Sequence, residues 1–137
     1  MQPTEAIVVQ AFTRAIDKLK IDDIYKHIDN VVVKAKTKAK KVVIPTIVHR
    51  EDIPNLGRSI DMVNAYIYYK YDLDNNIVIV DNSKLRDPTF RCPDKLHLTD
   101  AGTSVLASNL KYGIANAFNI KVVKKVFAGS PGHYQKS

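Results

Sequence analysis

The segment "PDKLHLTDAG", residues 93–102, places Asp94 three residues before His97, just ahead of a helix start. A histidine acting as general base needs a group on its second ring nitrogen, which fixes the tautomer and stabilises the imidazolium. An aspartate three residues earlier in a loop can fold back to make that bond. Asp94 and His97 are therefore a candidate orienting acid and base, against the plainer reading of an Asx-type loop with a surface histidine. Such a pair still needs a nucleophile. Ser59 reads as the start of a helix, Ser104 and Ser108 fall in the last helix, and Ser130 and Ser137 lie in the tail. Ser83, just after a strand, is the one serine kept as a weak candidate. The single cysteine, Cys92, reads as a half-buried loop residue, excludes an internal disulfide framework and fits a reducing compartment. Without paired Cys/His clusters, neither a metal site nor a cofactor is expected.

The elements that must position this pair follow from hydrophobic periodicity. Residues 4–9, 40–48 and 77–81 are largely apolar runs rich in β-branched residues, as expected of strands buried on both faces, with Pro45 toward the C-terminal end of the second. Residues 10–20 read as a loop with a helical turn. Ile21, Ile24, Tyr25, Ile28, Val31 and Val32 recur at helical spacing, with Asp22 and Asp23 in the first turn. A loop at 49–59, where His49 and Arg50 read as solvated, against the alternative that they line a pocket on the rim of His97, precedes a helix carrying Ile60, Val63, Asn64, Ile67 and Tyr71 on one face. The tyrosines of "YIYYKY" wrap round that helix, some inward and some outward. Thr99 can cap a last helix from about Asp100 to Phe118, with Leu106, Leu110, Ile114 and Ala117 toward the core. Alternating strands and amphipathic helices predict an α/β fold with a mostly parallel sheet covered on both faces. Sites in such sheets gather at the C-terminal ends of the strands, where residues 82–98 fall.

The stretch "DKLHLTDAGTSVLASNL", residues 94–110, resembles the closing motif of the SGNH (GDSL-type) hydrolases. In that family an Asp-x-x-His pair is followed by a hydrophobic residue, a cap, a glycine and an amphipathic helix. The resemblance covers residues 4 to about 118 and implies a flavodoxin-like α/β/α sandwich with a Ser-His-Asp triad. It implies His97 as base, Asp94 as its acid, and a small ester as substrate. The chain departs from the pattern in lacking the GDS nucleophile motif. It also has "AFTR", residues 11–14, where GxND is expected, so that Thr13 stands weakly for the oxyanion-hole asparagine. The expectation is a domain over residues 1–118 that lacks its first strands, hence incomplete or inactive, followed by a basic extension over 119–137. The exposed sheet edge then needs a cover: a missing N-terminal segment, a second copy, or the tail.

The formal net charge is +7. Lys34, Lys36, Lys38, Lys40 and Lys41 form one basic run, and Lys121, Lys124 and Lys125 continue the character into the tail. Lysines at a helix end complement its dipole and solubilise it. The functional alternative is a phosphate-contacting patch for RNA or another polyanion. Triad-less SGNH-like domains bind RNA and occur in retroelement-encoded proteins, so the resemblance also implies a non-catalytic module. No segment has the length or apolarity of a signal peptide or membrane helix, and the chain reads as cytoplasmic with no membrane partner.

Overall fold

In the computed structural model, which describes residues 4–10 and 15–118, the three apolar runs pair into one parallel sheet in the order β1-β2-β3. The strands are β1 (Thr4–Val8), β2 (Ala39–Pro45) and β3 (Ile77–Val80). Three helices connect or follow them: α1 (Ile21–Lys38), α2 (Leu56–Tyr71) and α3 (Asp100–Ala117). The sheet register sets Thr4 beside Ala39, Val8 beside Val43, and Pro45 beside Val80. Pro45 ends β2, and the next residue resumes the ladder through Thr46 N–H to Val80 O at 2.9 Å. None of the helices among the described residues is long and apolar enough to cross a membrane.

Alternation along β2 divides the core. Val42 and Ile44 face α1 and α2, packing with Ile24, Ile28, Ile60 and Ile67. Val43 faces the other way, with Val80 and Ala117. Helices thus cover both faces, compatible with an α/β/α sandwich. Asp29 ties α1 to α2, accepting from Tyr66 Oη at 2.7 Å, Lys70 Nζ at 2.7 Å and Tyr71 Oη at 2.5 Å. Burial pushes the Asp29 carboxyl up, but the hydrogen bonds from Lys70, Tyr71 and Tyr66 outweigh it and hold the group below its ordinary value. Of the "YIYYKY" tyrosines, Tyr71 is buried, Tyr66 stacks on Tyr25, and Tyr69 is fully turned to solvent.

Two expectations are corrected. The second helix begins at Leu56 rather than Ser59, because Asn55 reverses the chain at φ 66° and Leu56 drops into the core as a buried side chain. The face of α3 is also rotated. Val105, Asn109, Gly113 and Ala117 point inward, Leu106 and Leu110 pack at the flanks, and Ile114 is only half-buried. The cause is Gly113, whose bare Cα lets α3 close onto β3. A Cβ there would fall 2.2 Å from Val80 Cγ2. Gly113→Ala is therefore expected to destabilise the fold by about 1–3 kcal/mol despite its better helix propensity. Urea denaturation of the variant checks this, and unchanged or raised stability would contradict the close packing.

Candidate active site

The polypeptide between β3 and α3 makes two short 3-10 turns, Ser83–Arg86 and Pro88–Phe90, and then a hairpin-like loop. Arg91 bridges Leu98 in antiparallel fashion, Cys92 N–H donates to His97 O at 2.8 Å, and Thr99 N–H donates to Phe90 O at 2.9 Å. Lys95 turns the tip at φ 64°. The loop is fixed to the neighbouring 49–51 segment by Glu51 N–H to Lys95 O at 3.2 Å. Arg91 fixes it further, donating to Leu96 O at 3.0 Å and to His49 O. At the loop exit Thr99 caps α3 by accepting from Gly102 N–H at 3.2 Å. Gly102 is required there, since a Cβ would lie 2.5 Å from Phe90 O.

Within this loop Asp94 does two things. Its Oδ1 accepts from Leu96 N–H and His97 N–H, both at 2.9 Å, which is the Asx-type turn. Its Oδ2 meets His97 Nδ1 at 2.5 Å. The two readings of the sequence are thus one object: the Asx turn is the device that presents the second carboxylate oxygen to the imidazole. The His97 hydrogen bond, helped by the two backbone N–H groups, pulls the Asp94 carboxyl from its ordinary 3.8 down to about 2. An ionised acceptor at Nδ1 keeps the proton on that nitrogen and leaves Nε2 as the basic one. Among the described residues nothing bonds to Nε2, and the His97 side chain is 71% exposed.

Beside the pair, a cavity of about 380 Å³ opens at the C-terminal ends of β1 and β2. Leu96 and Leu98, the neighbours of His97 on either side, form one wall, and Ile47, Val48 and Leu106 form others. Gln10, Arg50 and Arg91 supply its polar margin. Arg50 is held in a two-pronged pair with Asp52 at 2.9 and 2.8 Å, so its charge is largely satisfied within the rim. That pair raises the Arg50 pKa and, chiefly through the Arg50 hydrogen bond, lowers that of Asp52.

The rim rests on amides of which periodicity had placed only Asn64, on the inward face of α2. Asn82 is 2% exposed; its N–H donates to Thr46 Oγ1 at 2.9 Å and its Nδ2 to Thr46 O at 3.0 Å. Asn109 on α3 donates to Asn82 Oδ1 at 3.2 Å, joining the ends of β2 and β3 to the helix behind them. Asn64 on α2 accepts from Ile47 N–H at 2.8 Å and donates to Ile47 O at 3.0 Å, extending the order of β2 beyond Pro45. The available signal was position: Gln10 and Thr46 are the polar residues that first follow β1 and β2, and Asn82 comes one residue after Asp81 at the end of β3.

The remaining sequence candidates divide. Ser83 lies on the same rim but is exposed, its N–H donating to Asp81 Oδ1 at 2.8 Å; it neither lines the cavity nor contacts His97. Cys92 is half-buried, its Sγ 3.5 Å from Leu98 O, in keeping with the structural reading. His49 is buried rather than solvated, packed against Gly57 with Nε2 3.3 Å from Glu51 Oε1, because the loop carrying it folds onto the first turn of α2. Thr13, with Ala11 and Arg14, and Lys121, Lys124 and Lys125 lie outside the described residues. Of the lysine run, Lys36 pairs with Asp74, Lys40 lies 3.1 Å from Glu5 and Lys41 donates to Asn75 O at 2.7 Å. Among the described residues Lys34 and Lys38 carry no ion pair.

No protein-family model matches the chain, and no curated protein sequence matches it. The reading of function therefore rests on the loop geometry and the motif itself.

Proposed function

We propose that this chain is the acid–base portion of an SGNH-type ester hydrolase, with His97 as general base and Asp94 as its orienting acid. The observation that carries the reading is the 2.5 Å contact between Asp94 Oδ2 and His97 Nδ1, at a strand C-terminal rim and beside an apolar cavity. A base so held takes a proton from a hydroxyl nucleophile on Nε2 and later returns it to the leaving alcohol. The cavity walls of leucine, isoleucine and valine suit the hydrocarbon part of a small ester. Gln10, the first residue past the hydrogen-bonded part of β1, offers a carboxamide donor on the same margin. Among the described residues no hydroxyl side chain contacts His97, so on this reading the nucleophile comes from outside them or from a partner chain.

The second reading is a non-catalytic SGNH-like module that binds RNA or another polyanion. It is favoured by the net charge of +7 and by Lys34 and Lys38, which stand without ion pairs among the described residues. Lys36, Lys40 and Lys41 contribute less to it, being engaged by neighbouring oxygens.

The deciding experiment is hydrolysis of a short-chain p-nitrophenyl ester, with His97→Ala as control. Turnover that falls by about 10²–10⁴-fold in the variant supports the enzyme reading. Equal rates for the two proteins, together with RNA binding that weakens steeply as salt rises, support the second.

A further inference from the structure

The outer edge of β1 is left without a strand partner among the described residues. Val9 N–H bonds to Val43 O at 2.9 Å, so by the alternation of a parallel ladder Ile7 also turns its backbone toward β2. Ala6 and Val8 then present N–H and C=O groups outward. Alongside runs a groove of about 250 Å³ between β1 and α1, floored by Ile7, Val9, Val31 and Ala35, with Lys34 and Lys38 on its rim. Apolar side chains beside an open ladder fit an added strand rather than bulk water.

We propose that a second copy of this chain occupies this edge, the two β1 strands pairing antiparallel across a twofold axis normal to the sheet. The charges along α1 suit that symmetry. Lys34 and Lys38 line the groove, and at about 100° per residue Asp23 continues their stripe along α1 beyond it. Thr4 is level with Ala39, which directly follows Lys38. With rises of about 3.3 Å per strand residue and about 1.5 Å per helix residue, Ile7 is level with Val31. A twofold at Ile7 sets Asp23, about 12 Å along α1 on one side of Val31, opposite the partner's Lys38, about 10 Å along on the other. Among the described residues neither Asp23 nor Lys38 has an ion pair within its own chain. Each α1 lies inward of the edge, over β1 and β2 together, so with the two β1 strands about 4.8 Å apart the two helices come to a separation on the order of 10 Å, which is contact distance. The interface is self-complementary, as a twofold requires. The chain's own tail is a poorer occupant, since Lys121, Lys124 and Lys125 are like-charged with Lys34 and Lys38.

The test is light scattering on the full 137-residue chain over a dilution series. A dimer is expected. Ala6→Pro, which removes only an outward N–H, should abolish it while circular dichroism stays unchanged. Lys34→Glu with Lys38→Glu should weaken the dimer about tenfold or more, as should Asp23→Lys, and the triple variant should recover much of the loss. A chain that stays monomeric overturns the proposal, as does a dimer indifferent to Ala6→Pro. Charge reversals that weaken association singly but show no recovery in combination overturn the antiparallel arrangement.

Discussion

Replacing Asn82 by leucine is expected to lower the stability of the fold by about 2–4 kcal/mol, the largest loss foreseen for a single side chain. Leucine has as many side-chain heavy atoms as asparagine and is larger in volume, so the cost does not come from a cavity. It comes from the groups left behind. Thr46 O loses the amide that now satisfies it, and Asn109 Nδ2, still buried, loses the nearer of its two acceptors, at 3.2 Å, and keeps only Asp81 O at 3.4 Å. An orphaned buried polar group costs about 1–3 kcal/mol, more than a hydrogen bond contributes when made. That asymmetry gives a sharper check. Asn82→Leu combined with Asn109→Leu should be less destabilised than the sum of the single variants, because the second change removes one orphan created by the first. Urea denaturation of the four proteins gives the cycle. Strict additivity would mean that the amides are satisfied independently of each other.

Asp94→Asn is expected to disable the proposed base without unfolding its loop, lowering any esterase rate by about 10²–10⁴-fold. The reasoning comes from the two oxygens. Leu96 N–H and His97 N–H hold Oδ1, so an asparagine would keep its carbonyl oxygen there. Its amide nitrogen, a donor, would then face Nδ1 of His97. The imidazole would have to present a lone pair at Nδ1 and carry its proton on Nε2, where a nucleophile could no longer deliver one. The ring would be in place with the wrong tautomer. Nitrogen NMR of the His97 ring reads this directly, with or without turnover, and a ring still protonated at Nδ1 would contradict it. The pH dependence has a definite sign. The Asp94 carboxyl is depressed in the folded loop, so its bond to His97 contributes above the ordinary 3.8 and is lost as pH falls from there through about 2. Carboxyl-carbon NMR shifts of Asp94 should therefore stay flat from neutral pH down to about 4 and move below it.

How far the sequence carried the fold is visible in particular residues. Three largely apolar runs, separated by helical periodicity, were enough for a parallel α/β sheet, because a strand buried on both faces does not alternate apolar with polar residues. Pro45 ended β2 as its missing N–H requires, and Thr99 capped α3 at the expected residue. The pairing of Asp94 with His97 was also legible, since a three-residue separation closes by local geometry alone.

What the sequence could not supply were the matters settled between distant elements. The face that α3 turns inward depended on how closely Gly113 could approach Val80, thirty-three residues away in the chain. The start of α2 depended on the reversal at Asn55 that seats Leu56 in the core. Asn82 and Asn109 read as ordinary polar residues until the ends of β2 and β3 and the flank of α3 met around them, whereas Asn64 already stood on the inward face of α2. His49 became a buried residue for the same reason. Local hydrogen bonds and periodic burial are written in consecutive residues, so the sequence by itself determined the elements and the Asp94–His97 pair. Close approach and the satisfaction of buried amides depend on partners that only the folded chain brings together, so the tertiary structure alone decided the cavity and the contacts that hold its rim.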